Sequence, residues 1–462
     1  MAPPVLLVCH QFLPRAVAGT EIHTWHLGRH LSRDRDVAVF FAVIDPTLPH
    51  GHLIRGHFGP LRTYMVVQNF AARALVRGRD HLVERRFEEV LGEFRPGVVH
   101  FHHLAHLSLE LPALARAAGS RVMMTLHDYY LVCPSGGQRV AHPDGQPCER
   151  SDPGRCSTCL SHHHQGEGRI TSRVMGLVDR FPPGIPAAGL MGLYRRLPMK
   201  MKALIRGWDK AAPSPEVLLP EVITRRREQV LKVWASCHVM VAPSRQVVDT
   251  FEGEGLAGVR LLPNGAPDPW AHPGEENMPP VGPEPPLPVR LMYVGTLVWH
   301  KGIDLLVEAT REMAPGRVRV DVYGEVGMFP LYTRPLLARA GPCLQFRGAL
   351  PPEQVGAELR RSHGLVLTSR WAENAPLSVL EARAQGLPVI APTLGGLPEL
   401  IQDGVDGLLY PPENVDALRK VIGQFVEDVA LRRHLRLGVK PPPTAAAHAR
   451  QVAEIYREWG AG

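Results

Sequence analysis

Short β-branched runs, each followed by a polar or glycine-rich turn and then a helical stretch, recur along the first part of this chain: "VLLVCH" (5–10), "DVAVFFAV" (36–43), "VVHFHH" (98–103) and "VMMTLH" (122–127). The rhythm returns in "RLMYVGT" (290–296), "RVDVYGE" (ending at Glu325), "GLVLTS" (364–369) and "PVIAPT" (388–393). Continuous apolar runs alternating with helices are what parallel strands joined by crossovers require, so two separate α/β sheets are expected. Between the two blocks lies "PNGAPDPWAHPGEENMPPVGPEPPLP" (263–288), too rich in proline and glycine for helix or sheet to continue through it. A chain of 462 residues is also too long for one ordinary core. The expected organisation is a first domain over 1–270 with a cysteine-rich insertion at 131–165, a proline-rich linker at 271–288, and a second domain over 289–440. A C-terminal segment, 441–462, is expected to carry a helix that packs back on the first domain. Its Val452, Ile455, Tyr456 and Trp459 fall on one face at helical spacing.

Composition narrows the classes of function. The net charge of +7 and pI near 9.1 favour an anionic partner, which could be nucleic acid, a phosphorylated small molecule or an anionic lipid surface. No recognition-helix or aromatic RNA-binding motif appears, so nucleic acid is not expected. The first turn, "VCHQFLPRAVAGTE", has no G-x-G-x-x-G after its strand, which argues against a dinucleotide-dependent oxidoreductase. The opening "MAPPVLLVCHQFLP" lacks a positive n-region, and "VAVFFAVI" is broken at once by Asp45 and Pro46. Neither reads as a signal peptide or a membrane span, and a cytoplasmic location is expected.

The stretch that carries chemistry is "ENAPLSVLEARAQGLPVIAPTLGG" (373–396). "GLVLTS" reads as a buried strand, "RWAENA" as a loop, "PLSVLEARAQ" as a helix with Pro376 near its first turn, and "PVIAPT" as the next strand. In such a unit a ligand sits beyond the carboxyl ends of the strands, facing the helix N-terminus. Backbone N–H groups of Asn374, Ala375, Pro376, Leu377 and Ser378, with the positive end of the helix dipole, then form a phosphate or diphosphate site. Glu373 reaches from the loop past the phosphates, and Glu381, about a turn into the helix, can accept from a ribose. The competing structural reading makes Glu373 a helix cap and Glu381 a solvated face.

"E-NAPLSVL-E" resembles the two-glutamate motif, with seven intervening residues, of retaining glycosyltransferases of family four, which have the GT-B fold: two Rossmann-like doubly wound parallel-sheet α/β domains facing a cleft. The resemblance continues through "ARAQGLPVIAPTLGGLPELIQDGVDGLLYPPENVDAL". It extends to "PRAVAGTEIHTWHLGRHL", "TLHDYYLVCP", "VAPSRQVVDTF" and "VGTLVWHKGIDLLVEA". By this resemblance Glu381 binds the ribose of a nucleotide sugar, Glu373 contacts the sugar ring, and Lys301 stabilises the departing diphosphate. Gly19 and Thr20 let the first domain approach the phosphates, and His127 hydrogen-bonds the transferred sugar. One departure stands out: after Gly295, where many relatives have arginine, this chain has Thr296. Either Lys301 works with another base, such as Arg245 or Arg370, or stabilisation of the leaving group leans on the helix N-terminus. These site residues contain no metal-binding Asp-x-Asp, so transfer with no cofactor and no catalytic metal is expected, from a UDP-, GDP- or ADP-sugar to a glycan or lipid-linked acceptor. The other readings are a GT-B-fold epimerase and a non-catalytic sugar-nucleotide-binding protein.

Two further features stand apart. Cys133, Cys148, Cys156 and Cys159, in a loop rich in glycine and proline, have the residue types of a tetrahedral structural zinc site, with His162, His163 and His164 as alternative ligands. The competing reading is a flexible loop with free thiols. "GLYRRLPMKMKALIRGWDK" (192–210) mixes basic with apolar residues and suits either peripheral contact with an anionic membrane or an ordinary helix with a basic face.

Overall fold

The computed structural model describes residues 2–45, 47–69, 78–141, 145–162, 220–268 and 288–459. The basic stretch 192–210, most of the expected linker, and His163 and His164 lie outside them. The chain divides into two compact units. The first comprises Met1–Pro243, Val247–Leu262 and Ala449–Gly462; the second comprises Ser244–Gln246 and Pro263–His448.

The first unit is built on an eight-stranded sheet of β1 (Val5–Cys9), β2 (Val37–Val43), β3 (Leu53–Phe58), β4 (Leu61–Val67), β5 (Val98–Phe101), β6 (Arg121–Thr125), β7 (Val239–Ala242) and β8 (Val259–Leu261). The order is β3-β4-β2-β1-β5-β6-β7-β8. All neighbours are parallel except β3 and β4. Every residue of β1 is fully buried, as a central strand covered on both faces must be. The β3–β4 hairpin was not anticipated, because Arg55 and His57 interrupt the apolar run that marks the other strands. β3 is the edge strand and buries little beyond Leu53, whereas β4, between β3 and β2, is buried on both faces. Strand order reverses direction between β1 and β5.

The second unit has a wholly parallel six-stranded sheet: β9 (Val289–Val294), β10 (Val318–Tyr323), β11 (Leu344–Gly348), β12 (Gly364–Val366), β13 (Val389–Pro392) and β14 (Gly407–Tyr410). Its order is β11-β10-β9-β12-β13-β14, so the chain starts in the middle, winds outward one way, and returns to wind the other way. Separate apolar clusters serve this sheet, one around Leu291, Ile303 and Phe425 and one around Met292, Leu365 and Val379. Alternate residues of β9 enter each cluster, as the two-residue period of a strand demands. In doubly wound sheets the ligand crevice lies outside the carboxyl ends of the strands at such a crossing point, here between β9 and β12.

The unit boundary falls at Pro263 rather than after residue 270. Backbone pairing explains the difference: Ala266 N–H donates to Pro443 O at 2.7 Å, and Ala445 N–H donates to Ala266 O at 2.9 Å. The segment after 440 is therefore shared. Residues 441–448 belong to the second unit, and from Ala449 onward the helix Ala445–Glu458 belongs to the first. There Val452 and Tyr456 are fully buried, and the Tyr456 hydroxyl bonds His100 Nδ1 at 2.7 Å.

Candidate functional site

Strand β9 ends at Val294, and the chain turns through Gly295 and Thr296 into a short 3-10 turn, Trp299–Lys301. Gly302 then adopts φ +66° before the helix Ile303–Thr310. A Cβ at Gly302 would lie 1.9 Å from Thr368 O, so only glycine lets the loop after β9 lie against the loop after β12. That close approach brings Lys301 to Glu373, with Nζ 2.6 Å from Oε1.

Glu373 is held by more than the lysine. Ser369 Oγ donates to the same Oε1 at 2.6 Å and Trp371 Nε1 at 2.8 Å. The Lys301 ammonium also sits 4.9 Å from the centroid of the Trp371 ring. Three donors thus converge on one carboxylate oxygen, while among the described residues nothing bonds Oε2. The backbone is pinned as well: Gly396 N–H donates to Glu373 O at 2.6 Å, and a Cβ on Gly395 would lie 2.4 Å from that oxygen. Glu373 is therefore not a helix cap. It is a buried carboxylate with a fixed and an open oxygen. Trp371 was missed although it lies in the loop already singled out, and Ser369 because it reads as the end of the preceding strand.

The helix runs over Leu377–Ala384, with Pro376 as its N-cap rather than within its first turn. Proline carries no N–H, so Pro376 cannot donate, and Leu377 and Ser378 supply the first-turn donors that have no intrahelical acceptor. Asn374 is buried, and Ala375 is partly so. Glu381 keeps part of its surface in solvent, yet burial pushes its carboxyl up to about 8. Among the described residues no cation or donor meets that carboxylate, which is why the shift is upward.

Thr296 is exposed. Arg370 does not replace the missing arginine, because Asp304 holds its guanidinium in a two-bond fork at 2.6 and 2.7 Å. Trp299 adds a ring contact at 5.3 Å and a carbonyl acceptor at 3.1 Å. A fork so engaged braces the two loops and is not available to a diphosphate. The Arg245 side chain is exposed. Lys301 is thus the cation that the structure sets beside Glu373 at the carboxyl ends of β9 and β12.

In the first unit, histidines gather at the carboxyl ends of β1, β5 and β6. His127 Nε2 lies 3.1 Å from His102 Nδ1, and His23 packs against both rings. Nitrogen atoms of these three lie within 4.8 Å of one another, a spacing that suits a metal ion as well as a hydrogen-bonded chain. Asp128 is fixed by His103 Nε2 at 2.9 Å. Ala105 N–H donates to His103 Nδ1, so the ring's proton is on Nε2 and points at Asp128. His10 lies 3.3 Å from the buried Glu21. Burial, followed by the charges of His103 and His106, holds His10 well below its usual range. Gly19 and Thr20 open the helix Gly19–Leu31 behind Ala18.

The four cysteines of the insertion come together. Cys133, Cys148, Cys156 and Cys159 line one small cavity, and none is in a disulfide. Burial raises the thiol pKa of Cys156 to about 11, and the other three thiols push the same way.

Residues 275–438 match the family model of group 1 glycosyl transferases. The chain is 25% identical over 186 residues to the alpha-D-kanosaminyltransferase of Streptomyces kanamyceticus, which covers 37% of this chain and 46% of that protein. The chain spans about half the length of the curated relatives it matches. Among solved structures it resembles sucrose-phosphate synthase from Thermosynechococcus elongatus, with a TM-score of 0.62 at 18% identity over 99% of both chains. Anabaena HepE in complex with UDP gives 0.60 at 14% identity over 98% of this chain and 100% of that one. These likenesses show the fold. It is GT-B, with two doubly wound parallel-sheet units.

Proposed function

We propose that the protein is a retaining, metal-independent glycosyltransferase that moves a hexosyl group from a nucleotide sugar to a glycan or lipid-linked acceptor. The observation that carries this reading is the Lys301–Glu373 pair at the point where the second sheet reverses its winding, one helix N-terminus away from an unmatched Glu381. A diphosphate at that crevice meets the Lys301 ammonium and the first-turn N–H groups of Leu377 and Ser378. Glu381 accepts from the ribose hydroxyls. Glu373, with Oε1 occupied, turns Oε2 to the sugar. As the anomeric bond to the leaving phosphate breaks, negative charge grows on the diphosphate, where a preorganised cation and helix dipole lower the barrier. The leaving phosphate takes the acceptor's proton on the same face, so configuration is retained. His127 is the group that hydrogen-bonds the transferred sugar.

The UDP bound in the HepE structure supports a nucleoside diphosphate donor. Relatives named as colanic acid and amylovoran biosynthesis glycosyltransferases favour a role in cell-surface polysaccharide or glycolipid synthesis, which we propose takes place in the cytoplasm with the basic stretch 192–210 in peripheral contact with a membrane. No helix among the described residues is long and apolar enough to cross a membrane.

The test is calorimetric titration with UDP, GDP and ADP, followed by NMR of the product's anomeric configuration with the sugar conjugate of whichever nucleotide binds. Binding of one nucleotide and a retained product are expected. Failure of all three to bind would remove the transferase reading, and an inverted product would remove the front-face mechanism.

A further inference from the structure

The cysteine-rich insertion is organised around a centre that the transfer chemistry does not use. Cys133 and Cys148 come from opposite sides of a small hairpin, closed by the Val140–Pro147 bridge and by Cys148 N–H donating to Arg139 O at 2.8 Å. Cys156 and Cys159, three apart on the helix Pro153–His162, present two sulfurs from one face. All four border a cavity of about 20 Å³, room for a single atom rather than an organic ligand. The charged side chains on the cavity wall, thiols aside, are Arg139, Arg150 and Arg155, of which Arg139 is already paired with the buried Glu254 at 2.8 Å. Arg150 and Arg155 leave positive charge on the wall to match the net negative charge of a metal held by four thiolates.

We propose that Cys133, Cys148, Cys156 and Cys159 bind one zinc ion as a closed tetrahedral tetrathiolate site. Binding releases four thiol protons to solvent and forms four zinc–sulfur bonds, with no change of oxidation state. Among the described residues no three of these sulfurs lie within 4.8 Å of one another, so zinc draws them in to the roughly 2.3 Å bond length of zinc thiolates. The role is structural. Cys133 N–H donates to Tyr129 O at 2.7 Å, and Gly137, at φ +83°, packs against Tyr130 N and Asp128. Zinc therefore staples the insertion onto the segment that follows His127. That positioning of His127 rests on the proposed transferase reading, whereas the metal site does not.

The test uses the full chain purified without chelator. Elemental analysis is expected to find one zinc per chain, and exchange with Co²⁺ to give the intense visible d–d and thiolate charge-transfer absorption of a tetrahedral thiolate site. Cys148→Ser and Cys156→Ser lose the ion or change that spectrum, while Cys237→Ser and Cys343→Ser keep it. Should the ligand variants fail to fold, titrating the wild-type chain with a mercurial in the presence of a zinc indicator gives the same answer, with zinc release tracking loss of thiols. Absence of stoichiometric metal with no uptake of Zn²⁺ or Co²⁺ overturns the proposal, as does an iron–sulfur spectrum or metal retained undiminished in Cys148→Ser and Cys156→Ser. Nucleotide binding by the metal-free chain separates this result from the fate of the transferase reading.

Discussion

Replacing Glu381 by glutamine should make the unliganded protein more stable and its donor site worse. Burial raises the Glu381 carboxyl from 4.5 to about 8. A group whose pKa is higher folded than unfolded favours folding fully below its unfolded value and loses that contribution as pH rises through its folded value. Glu381→Gln cannot ionise, so it should match the wild type near pH 4.5, gain relative stability as pH rises, and level off above about 8. At about 1.4 kcal/mol per unit the shift sets a ceiling of about 5 kcal/mol. Residual contact with solvent screens the charge, and about 2 kcal/mol is the working expectation, or roughly 4–8 °C in Tm for a unit of this size. The same substitution removes charge-assisted bonds to the ribose, worth about 1.5–3 kcal/mol, so nucleotide affinity should fall roughly 10- to 100-fold. Wild-type binding at neutral pH should release a proton, visible by calorimetry in buffers of different ionisation enthalpy. Thermal melts from pH 4.5 to 9 with matched nucleotide titrations check both arms. A pH-independent stability difference would refute the burial argument, and unchanged affinity would refute the ribose role.

Lys301→Ala should reduce kcat/KM by about 100-fold or more through kcat, because the cation at the departing diphosphate is lost; a rise in KM alone with kcat unchanged would count against that role. Gly302→Ala places a Cβ 1.9 Å from Thr368 O at φ +66°, so it should destabilise by at least about 1–3 kcal/mol in denaturant melts. Tyr456→Phe removes the hydroxyl that bonds His100 Nδ1 at 2.7 Å in a fully buried setting and should cost about 1–3 kcal/mol by the same measurement.

Much of the second unit was legible because its signals are local. The strand runs before Gly295 and Thr368, the loop holding Glu373, the helix reading outward from Pro376 and the glycine after it are all written within a few residues of one another. The helix began one residue later than expected, since proline's fixed φ serves an N-cap as well as a first turn. The β3–β4 hairpin was illegible for the opposite reason: the edge strand β3 has Arg55 and His57 on its exposed positions, and Arg62 and Thr63 break the apolar run of β4. Arg370 read as a spare cation because its partner, Asp304, lies 66 residues away and nothing local announces it.

The alternation of apolar runs with helices, the proline-rich break and the paired glutamates follow from the sequence by itself, because backbone hydrogen bonding and side-chain periodicity act over short separations. Strand order was decided only by the tertiary structure. It places β9 beside β12 and so joins Lys301 to Glu373 across 72 residues. It also gathers Ser369 and Trp371 on one oxygen of Glu373, leaves the partly buried Glu381 without a counter-charge among the described residues, and sets four cysteines around one cavity. Each of these depends on which surfaces pack together. That choice minimises exposed apolar area over the whole chain and leaves no mark at any single position.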